Sequence, residues 1–254
     1  MKKQDIKTVL LQMMTILKRA VEELYPPCCP FCDDRLNRME KEPGVCRKCQ
    51  KQLVYITDSH CMKCGKPIEN ERVEYCYDCS RRRHNYEQAR ALFSYQGSVR
   101  GALYRFKMSN RREYGVFFGK EICKILGFWI RNCRADYLIP IPLTKEKERV
   151  RGYNQAQILA RAISRQTGIP CKENMLVKHT ETQAQKGLDA RQRQKNLEQA
   201  FGIRTQCGDF VLAGKRVILV DDIYTTGATV DAAAAVLRKA GVWKIYVLTV
   251  AIGG

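Results

Sequence analysis

Four Cys-x-x-Cys pairs follow one another early in the chain: Cys29-Pro-Phe-Cys32, Cys46-Arg-Lys-Cys49, Cys61-Met-Lys-Cys64 and Cys76-Tyr-Asp-Cys79. Such a turn aims two thiolates at one metal, and two turns complete the tetrahedral sulfur site that zinc prefers. Eight cysteines in this pattern specify two zinc ions. The intervening gaps of 13, 11 and 11 residues suit short hairpins. The simplest assignment is serial, Cys29, Cys32, Cys46 and Cys49 followed by Cys61, Cys64, Cys76 and Cys79, although an interleaved pairing satisfies the same spacing. A disulfide scaffold is the competing reading. It needs an oxidising compartment, and the N-terminus shows no secretory signal pattern. Closed sulfur-only sites leave zinc no open position for chemistry, so both ions are expected to be structural. Binding would supply on the order of 10 kcal/mol to a stretch poor in large apolar side chains. Cys28, Cys123, Cys133, Cys171 and Cys207 stand outside the pattern and read as ordinary buried thiols.

The rest of the chain has room for one or two packed domains. Its 254 residues are 45% hydrophobic, too apolar for a disordered tail and too aperiodic for collagen or a coiled coil, and no apolar run reaches membrane-spanning length. With 45 Lys and Arg against 26 Asp and Glu, the net charge of +19 points to a polyanionic partner or a phosphorylated ligand. Residues 26–90 carry 13 basic and 10 acidic side chains, an excess that two zinc-tetrathiolate centres would cancel, whereas residues 91–254 carry 27 basic and 13 acidic. The polyanion is therefore expected on the C-terminal part, unless Arg81, Arg82 and Arg83 form a local patch. Residues 1–25 place Ile6, Val9, Leu10, Met13, Leu17, Val21 and Leu24 at helical spacing ahead of Pro26 and Pro27. This amphipathic helix would pack on protein, with peripheral membrane contact as the alternative.

From residue 91 the pattern alternates between strands and helices. Strands are predicted at 91–95, 135–142, 216–220 and 244–252, and helices at 97–107, 113–133, 154–167 and 230–240. That order predicts an α/β domain with a parallel sheet and crossover helices, in which ligands bind at the carboxyl ends of strands. After Val217-Ile218-Leu219-Val220 the chain reads Asp221-Asp222-Ile223-Tyr224-Thr225-Thr226-Gly227-Ala228-Thr229 and enters a helix. Hydroxyls, a glycine and free amides at a helix N-terminus suit a phosphate monoester. The adjacent carboxylates suit sugar hydroxyls.

This nine-residue string resembles the signature of the type I phosphoribosyltransferases. The resemblance implies that Asp221 and Asp222 contact ribose hydroxyls and that Thr225, Thr226, Gly227, Ala228 and Thr229 hold a 5′-phosphate. It also implies a pyrophosphate loop at Thr144–Gly152, where Thr144, Lys147, Arg149 and Arg151 would receive phosphoribosyl pyrophosphate with Mg²⁺. The Arg151-Gly152-Tyr153-Asn154-Gln155 string, Thr182-Gln183, Leu188-x-x-Arg191 with Asn196 and Phe201, and the preceding knuckles together resemble the ComF family of competence proteins. The implied organisation is a helix over 1–25, a small double zinc-ribbon module over 26–90 and a phosphoribosyltransferase-like domain over 91–254. The implied setting is cytoplasmic, at or near the inner face of the membrane, with single-stranded DNA and the ComFA helicase-like motor as partners. Three functions follow: an adaptor for incoming DNA, a transferase with an unknown acceptor, or a non-catalytic sensor of the phosphoribosyl ligand. Candidate DNA contacts are Arg100, Arg105, Lys107, Arg111 and Arg112, with Tyr95, Tyr104, Phe106 and Tyr114 either stacking bases or filling the core.

Overall fold

The computed structural model describes Met13 and residues 26–41, 44–57, 59–70, 72–179, 199–204 and 212–253. Apart from Met13, the predicted N-terminal helix lies outside these residues, as do Cys207 and the motif positions between Thr182 and Asn196. The chain divides into two compact units, Met1–Leu53 and Val54–Gly254.

The smaller unit is organised by its cysteines. The first knuckle turns because Asp33 adopts φ 65°, letting Asp33 N–H donate to the Cys29 carbonyl and Cys29 N–H to the Asp34 carbonyl, both at 2.8 Å. The second opens a short helix, α1 (Arg47–Gln50), whose N-cap Cys46 accepts from Cys49 N–H through Sγ at 3.4 Å. Phe31, Leu36 and Val45 are buried around them.

The larger unit begins with the other two knuckles. Cys76 precedes α2 (Tyr77–Arg81), and Lys63, within the third knuckle, accepts a 2.7 Å hydrogen bond from Ala89 N–H on β1 (Gln88–Ser94). The second ribbon is thus hydrogen-bonded to the main sheet. Next come α3 (Gly97–Met108), α4 (Glu113–Cys133), β2 (Tyr137–Pro140), α5 (Lys145–Arg151) and α6 (Gln155–Thr167). A small antiparallel pair, β3 (Leu176–Lys178) and β4 (Phe201–Ile203), precedes β5 (Arg216–Tyr224), α7 (Ala228–Lys239) and β6 (Lys244–Ile252). The main sheet is parallel, in the order β1-β6-β5-β2.

Helices cover both faces of this sheet, so its central strands read as continuous apolar runs. Val217, Ile218, Leu219 and Val220 are each fully buried. The helix over 113–133 ends when Arg134 enters the left-handed region at φ 48°. It approaches α6 closely because Gly119 faces Ala162 and Gly115 faces Ile158, where an added Cβ would lie 2.6 Å from Ile158 Cγ2. The burial pattern of α3 settles the two readings of its aromatic residues. Val99, Ala102, Leu103 and Phe106 form one buried stripe at helical spacing, and Tyr114 is also buried, leaving Tyr104 as the exposed ring.

Several boundaries shift by one to four residues, β1 for example beginning at Gln88, and two departures from the sequence expectation bear on the site. β5 continues through Tyr224, because β6 pairs with it as far as Tyr224 opposite Ile252, so both aspartates lie within the strand. Residues 145–151 form a helix, because Thr144 caps its start and Gly152, at φ 74°, ends it.

Candidate phosphate and ribose site

β5 delivers Asp221 and Asp222 to the carboxyl end of the sheet. Asp221 Oδ1 accepts from the Asp222 amide at 2.8 Å, and Asp222 Oδ2 lies 2.9 Å from Lys107 Nζ. The Asp222 side chain is 10% exposed and that of Lys107 22%, so this ion pair is largely withdrawn from water. Burial first, and the neighbouring Asp222 charge second, push the Asp221 carboxyl above the usual carboxylate range, with Lys107 and Lys178 opposing the rise.

The strand ends in a loop of unusual backbone shape. Gly227 stands at φ 76° as the N-cap of α7, and a Cβ there would collide with the Tyr224 hydroxyl. Glycine is required twice over, by backbone conformation and by contact. Tyr224 is fixed in turn by a 2.8 Å hydroxyl contact with buried Tyr86. Thr225 and Thr226 are exposed, and the Ala228 amide reaches Thr226 Oγ1 at 3.4 Å. The loop therefore presents hydroxyls at the start of a 12-residue helix, the arrangement that holds phosphate.

On the other side of the carboxylates, Thr144 is buried and its Oγ1 accepts from the Lys147 amide at 3.4 Å. Lys147 and Arg149 are exposed on α5, while Arg151 Nη1 donates to Gln155 Oε1 at 3.1 Å. The Arg-Gly-Tyr-Asn-Gln string is the joint between α5 and α6. The Tyr153 hydroxyl donates to the Phe106 carbonyl, Asn154 Nδ2 to the Ile141 carbonyl at 2.9 Å, and Asn154 Oδ1 caps Ala156 N–H at 2.9 Å. Arg112 belongs to the same joint, donating to the Gly152 carbonyl at 3.1 Å and lying over the Tyr153 ring at 4.8 Å. Arg111 pairs with Glu113 at 3.6 Å, and Arg100 is exposed. Of the five basic residues on 100–112, Lys107 is the one placed on the aspartates and Arg112 the one placed on the joint. A cavity of about 540 Å³ opens beside α5, lined by Leu143, Asn154, Gln157, Lys178, His179 and Arg204 among others.

The second ribbon forms a further wall. A groove of about 490 Å³ is lined by Tyr77, Arg81 and Arg82 together with Tyr224, Thr225 and Thr226. Beneath it, Asp231 in the first turn of α7 is 1% exposed, receives His84 Nδ1 at 2.7 Å and Asn85 N–H at 2.9 Å, and lies 3.6 Å from Arg82 Nη2. His84 Nε2 lies 3.5 Å from Cys79 Sγ. Sequence reading gave His84 no role, since its carboxylate partner, Asp231, is remote in the chain.

The cysteines gather serially. The Sγ atoms of Cys29, Cys32, Cys46 and Cys49 lie within 4.8 Å of one another, as do those of Cys61, Cys64, Cys76 and Cys79. Tetrahedral zinc with Zn–S near 2.3 Å requires sulfurs about 3.8 Å apart. The Cys32–Cys46 and Cys64–Cys76 separations are both 3.7 Å, so each set fits a structural zinc ion. Cys28 and Cys133 are buried, and Cys123 and Cys171 half-buried. Among the described residues no helix is long and apolar enough to cross a membrane.

Comparison with known proteins identifies both parts of the chain. Residues 20–80 match the double zinc ribbon domain model and residues 151–252 the phosphoribosyl transferase domain model. The chain is 31% identical to "Competence protein F" of Haemophilus influenzae, over 80% of this chain and 88% of that protein. It is 28% identical to "Competence protein ComFC" of Bacillus subtilis, over 84% and 89%. It is 23% identical to "DNA utilization protein YhgH" of Escherichia coli, over 80% and 88%. A purine phosphoribosyltransferase from Pyrococcus horikoshii aligns at a TM-score of 0.33 and 17% identity, over 56% of this chain and 82% of that one.

Proposed function

The chain belongs to the family of competence protein F and ComFC, and on that premise we propose that it handles incoming single-stranded DNA while holding a phosphoribosyl pyrophosphate-type ligand at the end of β5. The observation that carries the ligand reading is the juxtaposition of the Asp221–Asp222 pair with the Gly227 loop at the start of α7. The carboxylates accept from the ribose 2′- and 3′-hydroxyls, and the loop amides and threonine hydroxyls receive the 5′-phosphate. Exposed Lys147 and Arg149 face the pyrophosphate, and Mg²⁺ bound with that group would neutralise it further. This chemistry favours a ribose ligand over a DNA end, because deoxyribose has no 2′-hydroxyl and a second phosphate would meet the carboxylates.

DNA is then held elsewhere, on the basic surface that includes Arg100 and Arg111, with the ComFA-type motor as protein partner. The large excess of basic residues after residue 91 supports this reading. A transferase step is the second reading, favoured by the cavity of about 540 Å³ beside α5, which has room for an acceptor.

Calorimetric titration of the zinc-loaded protein with phosphoribosyl pyrophosphate and Mg²⁺, with and without single-stranded DNA, tests the proposal. Saturable binding is expected, and the Asp221→Asn, Asp222→Asn double variant should lose it while still binding DNA. Full ligand affinity in that variant would remove the carboxylates from the site. DNA affinity should fall with salt at a log-log slope of about −0.7 per phosphate neutralised, and a salt-independent interaction would overturn the DNA reading.

A further inference from the structure

A pair of adjacent carboxylates and a phosphorylated ligand repel each other, and a site that joins them needs a cation between. In this chain a cation is already in place. Lys107 Nζ lies 2.9 Å from Asp222 Oδ2, in a position only 22% exposed. We infer that Lys107 is the pocket's resident counter-cation, and that it lets the site bind ribose 5-phosphate without a metal ion. The inference rests on reading the β5 terminus as a ribose-phosphate pocket.

Three observations support it. The first is that the lysine is held from its backbone. Phe106, the preceding residue, is fully buried and its carbonyl accepts from the Tyr153 hydroxyl, while Arg112 ties the segment after α3 to the Gly152 carbonyl at 3.1 Å. Its stem therefore starts from a fixed point within reach of the carboxylate. The second is the division of oxygens. Asp221 Oδ1 is taken by the Asp222 amide and Asp222 Oδ2 by Lys107, so a vicinal diol would meet the second oxygen of each. The ion pair thus neutralises the site without filling it. The third is that Lys107 also acts on Asp221, opposing the rise that burial and the Asp222 charge impose on it. A divalent cation arriving with pyrophosphate would do the same work, so the two cations are alternatives and a monophosphate needs only the lysine.

The test compares zinc-loaded wild type, Lys107→Met and Lys107→Arg, each titrated with ribose 5-phosphate in buffer without added divalent cation and with phosphoribosyl pyrophosphate in Mg²⁺, at one ionic strength and without chelator, which would strip the structural zinc. Wild type should bind ribose 5-phosphate without Mg²⁺. Lys107→Met should lose about tenfold or more of that affinity and change by less than about threefold toward the Mg²⁺-loaded ligand, as one uncompensated carboxylate demands in the first case only. Lys107→Arg, which keeps the charge, should recover most of the affinity without Mg²⁺, and all titrations are run well below the melting transition of each variant, so that a loss of stability in Lys107→Met is not read as a loss of affinity. Equal losses under both conditions, or affinity without Mg²⁺ unchanged in Lys107→Met, would overturn the role of the lysine. If wild type bound the Mg²⁺-loaded ligand but not ribose 5-phosphate, the counter-cation inference alone would fall. If it bound neither, the pocket reading would fall with it.

Discussion

Asp231 is the most heavily buried carboxylate described, 1% exposed, and it depends on a neighbour from the second ribbon. Substituting His84→Ala removes the 2.7 Å contact to Oδ2 and leaves Asp231 with the Asn85 amide at 2.9 Å and Arg82 at 3.6 Å. Removing a hydrogen-bond partner from a buried group costs about 1–3 kcal/mol, more where the group is charged, and the surviving contacts place this case at about 3 kcal/mol. The loss of about 3 kcal/mol should lower the melting temperature of a unit of this size by about 6–12 °C. Differential scanning calorimetry on zinc-saturated protein measures it directly. The effect should also reach the phosphate loop, because Asp231 N–H donates to the Gly227 carbonyl at 2.8 Å and so joins the loop to the first turn of α7. Phosphoribosyl pyrophosphate affinity should fall with the melting temperature. A shift under about 2 °C, or strict additivity between His84→Ala and Asp231→Ala, would show that the two side chains are not coupled and would refute the reasoning.

Gly227→Ala should be far more damaging than a usual surface substitution, since it combines left-handed strain with a clash against the Tyr224 hydroxyl; a loss of about 2 kcal/mol or more and of phosphate-ligand binding is expected by thermal melting and calorimetry. Asp221 is pushed up to about 7, by burial and then by the Asp222 charge, so its ionised form opposes folding: the stability tied to this group is full below the unfolded value near pH 4 and is lost as pH rises through about 7. Ligand hydroxyls donate to that ionised form, so affinity should run the other way, falling as pH drops below about 7. Asp221→Asn should flatten the stability trend, and a wild-type profile that is already flat would contradict the raised value.

Much of the fold was legible because it is written in local patterns. The helix over 113–133 has the predicted limits, and the run at 244–252 is β6. The four cysteine pairs follow from spacing, which left serial and interleaved sets open until the fold gathered them serially, and the strand-loop-helix around Gly227 follows from its own nine residues. What escaped was long-range. His84 and Asp231 are 147 residues apart, and neither carries a sequence mark of the other. Lys107 was grouped with nearby arginines by charge, whereas the fold turns it onto Asp222. The aromatic residues of α3 were decidable, since Val99, Ala102, Leu103 and Phe106 already spell a helical stripe. The basic run at 145–151 hid a helix because its cap, Thr144, and its stop, Gly152, were read as parts of a loop.

The hydrogen bond from Ala89 to Lys63, the Tyr86–Tyr224 hydroxyl pair and the His84–Asp231 contact all tie residues 54–90 to the sheet and to the helix behind the phosphate loop. The second ribbon is therefore no detachable cassette. A fragment beginning at Val54 would carry a complete cysteine set and the whole of β1, and so remain a candidate for autonomous folding. One beginning at residue 91 would start midway along that strand, strip the hydroxyl partner from Tyr224 and leave Asp231 facing the space where His84 and Asn85 had been.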